Sequence, residues 1–384
     1  MNKFDFDTYP NKMGLDYSKY DIKPNELPLS IADMDFFVAP KIKEALLERV
    51  NLGSYGYVYP KKELFEAYEN YYQIMYGFDI KEARKAFSLG VLPSLSCLIK
   101  TFSKEDEYIS TLAPAYNCFF NEIRNNSRKI DKVPLIYRND KYFLDLNALE
   151  ESFKKSKVFI LCSPHNPTGY IFSKEELTLI AILAKKYDVL VISDEIHSPI
   201  VKDKSLYTPF LSSCDEAKEV GITLFSPTKG WNIAGIQTSL VYSFNSCIMD
   251  KIDFALNRDD VGETNFFSSS AAIAALNSLD WLFEMNEYVF NNRNYLSRYI
   301  QSYIPLLKPV ESSSTYLAWI DISSTKIDSD TFVKLFRKST GLIVSSGNMY
   351  GDSSFIRMNL ALPKSKLTEA LGELKEFVNS MDNK

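Results

Sequence analysis

The sequence predicts an α/β fold: a large domain on a mostly parallel central sheet flanked by helices, plus a smaller α+β domain. Three observations carry this. The middle of the chain alternates short apolar runs with helical patterns, as β-α-β units do. The C-terminal part mixes strands and helices without that alternation. The length, 384 residues, suits two domains or one large one.

In chain order, Glu107-Tyr-Ile-Ser110 reads as a strand. Val158-Phe-Ile-Leu-Cys162 reads as a buried one, followed by the turn-rich Ser163-Pro-His-Asn-Pro-Thr-Gly169. Ser173 with Glu176 forms a capping box, and Leu177, Ile180, Ala181 and Ala184 mark one helical face. Val189-Leu-Val-Ile192 is the next strand, ending in Ser193-Asp-Glu-Ile-His197. Ile222-Thr-Leu-Phe225 and Thr238-Ser-Leu-Val-Tyr242 read as further strands of the same sheet. Tyr316-Leu-Ala-Trp-Ile320 and Phe355-Ile-Arg-Met-Asn359 belong to the second part, which closes on a helix with Leu367, Ala370, Leu371, Leu374 and Phe377 along one face. The expected division is a large domain over 48–280 and a small domain made of 1–47 and 281–384.

Composition narrows the function. Hydrophobic residues at 46% and charged residues at 24% are ordinary for a globular protein. A net charge of -5 gives no reason to expect nucleic acid or an acidic membrane surface as a partner. The five cysteines are scattered, odd in number and free of C-x-x-C pairs, which fits reduced thiols. The opening residues lack a signal-peptide pattern, and no run of about 18 apolar residues exists. The expected location is the cytoplasm.

The chemistry concentrates in Ser226-Pro-Thr-Lys-Gly-Trp-Asn-Ile-Ala-Gly235, a turn-prone loop after an apolar strand. A lysine at the mouth of a sheet can form an imine with an aldehyde, and pyridoxal phosphate (PLP) is the aldehyde cofactor that uses one. Ser226 stands three residues earlier and could hold the phosphate. Ligands of open α/β sheets sit beyond the carboxyl ends of the strands. Asn166, Asp194 and Lys229 each follow such an end. They meet three needs of PLP: a donor to the phenolic oxygen, a carboxylate at the pyridine nitrogen, and an imine lysine. Each also has a plain reading, as a turn former, a helix cap or a surface charge. Three together at successive strand ends favour the cofactor.

Other readings fail. Ser226-Pro-Thr-Lys229 is formally S-x-x-K, but the S-D-N and K-T-G of serine β-lactamases are missing. No P-loop string occurs. The two histidines, His165 and His197, are too few for a metal site and read as hydrogen-bonding support for the loops.

At this point the chain resembles the fold type I PLP-dependent enzymes of the class I/II aminotransferase superfamily. Within it, the cystathionine β-lyase (C–S lyase) branch, related to the maltose-regulon modulator, is the better match. The resemblance spans nearly the whole length. It rests on Ile31-Ala-Asp-Met-Asp-Phe36, Tyr55-Gly-Tyr57, Ser88-Leu-Gly-Val-Leu-Pro93, Ala113-Pro-Ala-Tyr116, Pro164-His-Asn-Pro-Thr-Gly169, Ser193-Asp-Glu-Ile-His197, Ser226-Pro-Thr-Lys229 and Phe355-Ile-Arg-Met-Asn359.

The resemblance implies a PLP-transferase type I fold and further roles. Tyr116 would stack on the pyridine ring. The N–H groups of Val91 and Leu92 would bind phosphate at a helix start. His197 would pack beside Asp194. Tyr57 would reach the phosphate of a neighbouring subunit, making a homodimer with shared sites. Arg357 would clamp the substrate α-carboxylate, with Ala32 lying over the substrate. The implied activity is α,β-elimination from cystathionine or a related amino acid. Transamination is the alternative, and a regulatory protein acting by protein contact is a third reading. Departures exist. Gln237 stands where many aminotransferases carry a phosphate arginine, and Ser163, Tyr170 and Trp231 differ near the expected site, so a shifted substrate range is expected.

Overall fold

The computed structural model describes residues 3–382. Its strands are β1 (Leu27–Pro28), β2 (Arg84–Ser88), β3 (Tyr108–Ala113), β4 (Lys129–Arg138), β5 (Lys141–Leu144), β6 (Ser156–Cys162), β7 (Leu190–Asp194), β8 (Gly221–Phe225), β9 (Ser239–Ser243), β10 (Lys308–Pro309), β11 (Leu317–Asp321), β12 (Leu342–Ile343), β13 (Ser345–Ser346) and β14 (Phe355–Asn359).

An eight-stranded sheet has the order β2-β9-β8-β7-β6-β3-β4-β5. Strands β8, β7, β6, β3 and β4 are mutually parallel, while β9 and β5 run against their neighbours. Both faces are covered, which is why β8 is buried throughout and reads as a continuous apolar run. Alternation divides the side chains. Val158, Ile160 and Cys162 join one core cluster with the helices Val91–Phe102 and Ser246–Arg258. Phe159 and Leu161 join another with the helices Lys62–Tyr76 and Lys174–Lys186. The Ser173–Glu176 capping box is present, both of its hydrogen bonds made.

A four-stranded sheet, β10-β11-β14-β13, carries a separate core with Leu296, Phe332, Phe336, Ile356, Leu371 and Phe377. Residues Leu27–Pro28 pair with Leu342–Ile343, and Leu29 enters that same core. Strands β2, β4 and β5 are additions to the sequence reading. In β4 the residues alternate between exposed and covered, so no apolar run announces it. Among the described residues no helix is long and apolar enough to cross a membrane.

Candidate functional site

Register sets up the site. Cys162 pairs with Asp194 across β6 and β7, and Asp194 with Leu224 across β7 and β8. The carboxyl ends of these three parallel strands are therefore nearly level. Asn166 leaves the loop after β6, Asp194 ends β7, and Lys229 stands in the turn after β8. Arg357 reaches them from β14, in the other sheet. All four line one cavity of about 630 Å³, together with Ala32, Val91, Leu92, Tyr116, His197 and Ser226.

Charge in this cavity is poorly neutralised. Asp194 is 4% exposed. Its Oδ1 accepts from the Ile196 N–H at 3.1 Å. Burial pushes its carboxyl up to about 7, against the pull of that N–H and of the Lys229 charge. A carboxylate so placed gains from a cationic partner such as a protonated ring nitrogen. Burial lowers the pKa of Lys229, with Asp33 and Asp194 opposing and Arg357 assisting. Its Nζ donates to the Ala32 carbonyl at 2.7 Å, and Tyr316 Oη donates to the same oxygen at 3.1 Å. Arg357 is buried; its Nη1 donates to Asn166 Oδ1 at 3.0 Å and its Nη2 to the Ser30 carbonyl at 2.7 Å. Its Nε has no hydrogen-bond partner among the described residues.

The other end of the cavity suits an anion. The helix Val91–Phe102 opens there with Gly90 at its N-cap, no capping side chain and no acid in its first turn. Its free N–H groups and dipole are directed at whatever binds. A Cβ on Gly90 would meet only Pro93, at 3.4 Å. Ser226 Oγ donates to the Thr238 carbonyl at 2.6 Å and lies 2.7 Å from Thr228 Oγ1. Gln237 lines the same cavity, so among the described residues the helix start, Ser226, Thr228 and Gln237 offer hydroxyl and N–H groups and no cation of their own. An unpaired guanidinium nitrogen, a buried carboxylate that forms no ion pair among the described residues and an open helix start fit PLP with an amino acid.

His197 lines the cavity, buried, and its Nδ1 has no hydrogen-bond partner among the described residues. Burial first, and the Lys229 charge second, lower its pKa to about 3. His165 does not line the cavity; it is a loop brace, its Nδ1 lying 2.8 Å from Thr168 Oγ1. Burial, and then a hydrogen bond to Cys118, raise the pKa of Tyr116. Tyr57 is fully exposed and does not line its own chain's cavity.

Three expected specificity positions are corrected. Trp231 is buried in the core, stacked edge-on to Tyr71 and donating to the Ser278 carbonyl at 3.1 Å. Tyr170 turns to Glu176 in a separate cleft, and Ser163 is buried and does not line the cavity. Cys118, Ser346, Met349 and Tyr350 do line the cavity. Only the fold brings them there; no motif marks them.

The description "Aminotransferase class I and II" belongs to a family model that matches residues 24–374. The chain belongs to that family. It is 30% identical to the cystathionine beta-lyase PatB of Bacillus subtilis (strain 168), over 96% of this chain and 98% of that one. Cystalysin from Treponema denticola, whose structure contains pyridoxal 5'-phosphate, superposes with a TM-score of 0.93 at 26% identity, covering 98% of this chain and 99% of that one. The PLP-bound C-S lyase from Staphylococcus hominis does so with a TM-score of 0.92 at 27% identity, covering 98% of each. The mostly parallel sheet with flanking helices is thus the PLP-dependent type I fold.

Proposed function

We propose that the chain is a PLP-dependent carbon–sulfur lyase. It would cleave cystathionine or a related cysteine S-conjugate to a thiol, pyruvate and ammonia. The observation that carries this reading is the convergence of Lys229, Asp194 and Arg357 on one cavity. The likeness to proteins described as cystathionine beta-lyase and C-S lyase supports it.

Pyridoxal phosphate, when bound, supplies an electron-accepting ring. The chain's residues would do the rest. Lys229 would hold the aldehyde covalently, and Asp194 would keep the ring nitrogen protonated. Asn166 would donate to the phenolic oxygen, and Tyr116 would cover one ring face. Val91, Leu92 and Ser226 would take the phosphate, with His197 packed beside Asp194. Arg357, already oriented by Asn166 and Ser30, would bind the substrate carboxylate through its fork. Ala32 would lie over the substrate. Once released from its bond, Lys229 would take the Cα proton as general base. A sulfur leaving group on Cβ would then depart as the thiol.

A homodimer follows from the same reading. Tyr57 sits on a surface that also exposes Leu52, Tyr55 and Tyr59. It would reach the phosphate site of the partner. The division at 48–280 against 1–47 with 281–384 and a cytoplasmic location complete the proposal. The test is pyruvate release from L-cystathionine with no keto acid added. Turnover that requires a keto acid makes the protein an aminotransferase, and a protein that neither binds PLP nor turns over supports the regulatory reading.

A further inference from the structure

The catalytic cavity has no charge to spare for the far end of a substrate. Among the described residues its charged lining side chains are Asp194, Lys229 and Arg357. The proposed function commits these to the ring nitrogen, the aldehyde and the α-carboxylate. His197 lines the cavity too, but burial keeps its ring neutral at neutral pH. A charged tail on the leaving group therefore finds no unclaimed partner inside this cavity.

A second, smaller cavity of about 310 Å³ shares Asn117 and Met349 with the first. Met349 is 46% exposed, so a flexible thioether stands where the two meet. Two cations line the smaller cavity: Arg124 from the helix Asn117–Asn125 and Lys132 from β4. Every other lining residue is uncharged. Both cations are exposed, and neither forms an ion pair among the described residues; Asp131, next to Lys132, is taken by Lys155 at 2.9 Å. Lys132 Nζ lies 4.7 Å from the centroid of the Phe120 ring. A Cβ built on Gly351 would lie 4.0 Å from that Nζ, so the ammonium sits beside the Gly347–Tyr350 turn that carries Met349. Asp330, which touches the lining through Asn348, is occupied: it accepts from Ser346 Oγ and from Asn348 Nδ2 at 2.7 Å.

We propose that Arg124 and Lys132 form an anion subsite at the edge of the catalytic cavity, so that the preferred substrate is a cysteine S-conjugate whose leaving thiol ends in a carboxylate. The inference rests on the lyase reading and narrows it. Arg357 takes the α-carboxylate, and the tail on the sulfur runs out past Met349 to the second cavity. One exposed charge pair contributes little, but two cations meet here and no acid in the lining competes with the ligand. L-cystathionine meets this requirement only in part. Its distal end carries a carboxylate, which the subsite would hold, and an ammonium, for which the lining has no acid.

A substrate series separates the two distal charges. S-Carboxypropyl-L-cysteine is L-cystathionine without the distal ammonium, S-aminopropyl-L-cysteine is the same molecule without the distal carboxylate, and S-propyl-L-cysteine lacks both. Pyruvate release by the full-length, PLP-loaded protein gives a KM for each. S-Carboxypropyl-L-cysteine should have the lowest KM, about tenfold below S-propyl-L-cysteine, as two exposed charge pairs allow. Added salt should narrow that gap. Arg124→Met and Lys132→Met should each raise the carboxypropyl KM about threefold, one such pair, and leave the propyl KM unchanged. Lys132→Glu should turn the preference toward S-aminopropyl-L-cysteine. Equal KM values for the carboxypropyl and propyl substrates in the parent overturn the inference, as do variants that shift every substrate alike; pyruvate is still released in both cases, and the lyase reading stands. Absence of pyruvate from the whole series overturns the lyase reading and the subsite with it.

Discussion

Arg357 Nη1 donates to Asn166 Oδ1 at 3.0 Å, a contact between residues 191 apart in sequence. It ties a strand of the small sheet to a loop of the large one, and it orients a buried guanidinium before any substrate arrives. Arginine presents a planar fork that matches a carboxylate, and lysine does not. Arg357→Lys is therefore expected to raise KM roughly tenfold or more, the cost of charged hydrogen bonds. The increase should appear for every α-amino acid tried, with PLP affinity little changed. A panel of L-cystathionine, L-cysteine, S-alkyl cysteines and aromatic amino acids checks this. Selective loss for some members would show that Arg357 reads side chains.

Lys229→Ala should abolish turnover and the borohydride-reducible attachment of PLP. Its Nζ donates to the Ala32 carbonyl on the strap over the cavity, so the loss should also loosen that strap. Peptide mapping after reduction is the measurement. A tag on another lysine would remove Lys229 from the centre of the site.

Asp194→Asn replaces a buried carboxylate by a neutral amide of the same shape. PLP should still bind through the helix start and the hydroxyls. Turnover should fall by about two to three orders of magnitude, the usual size of one preorganised electrostatic contribution. Steady-state rates and PLP titration of the same preparation separate the two effects. Near-parental turnover would place the electron sink elsewhere.

The legibility of this site followed local geometry. Asn166, Asp194 and Lys229 each stand just beyond an apolar run, so strand-end logic reached them from the sequence. Arg357, Val91 and Leu92 came only with the resemblance, because nothing local distinguishes Arg357 from a surface ion pair. The burial of Lys12 and Lys19 against Asp33 and Asp35 was invisible because nothing local fixes which way each lysine side chain turns. Trp231 was misplaced for a related reason. It is two residues from Lys229, but its ring turns into the core beside Tyr71. Sequence proximity to a cavity residue does not fix side-chain direction in an irregular loop. The sheet was legible where strands were buried on both faces, as in β6 and β8, and not in β4, where exposure alternates.

Stability should depend on pH through Glu195. Its Oε1 accepts from the Phe210 N–H at 2.9 Å and Ser193 Oγ at 3.0 Å. Burial pushes the carboxyl from 4.5 to about 7. A folded pKa raised above the unfolded one gives stability that is present below the unfolded value and lost as pH rises through about 7. Glu195→Gln keeps the accepting oxygen and cannot ionise. Its thermal midpoint relative to the parent should climb between about pH 5 and 7.5, by an amount worth on the order of a few kcal/mol. The parent's own profile will hide this. His165 and His197, both lowered to about 3 by burial, lose stability as pH falls below 6.5 and oppose the carboxyls. Parallel melting curves for parent and Glu195→Gln would argue against the ionisation of Glu195.

The last prediction concerns Tyr57 and the proposed sharing of sites. Tyr57 is fully exposed in its own chain and lines no part of that chain's cavity. The proposed phosphate cradle, meanwhile, offers hydroxyl and N–H groups from the helix start, Ser226 and Thr228, and among the described residues Gln237 beside them brings no charge. A phenolic donor from a second copy would add a charge-assisted hydrogen bond to the phosphate. Tyr57→Phe should weaken PLP binding by about tenfold, one such bond, and sedimentation should still show a dimer. Complementation decides whether the residue acts across the interface. Tyr57→Ala and Lys229→Ala are each expected to be inactive at limiting PLP. A dimer with one subunit of each kind has one complete site, because the Lys229-bearing cavity receives the partner's Tyr57. Random mixing by co-refolding should thus restore roughly a quarter of the parental sites, the share set by two-fold pairing. If Tyr57 served its own subunit, every mixed dimer would carry one site without the lysine and one without the tyrosine. Mixing would then restore nothing, and the shared-site reading would be wrong.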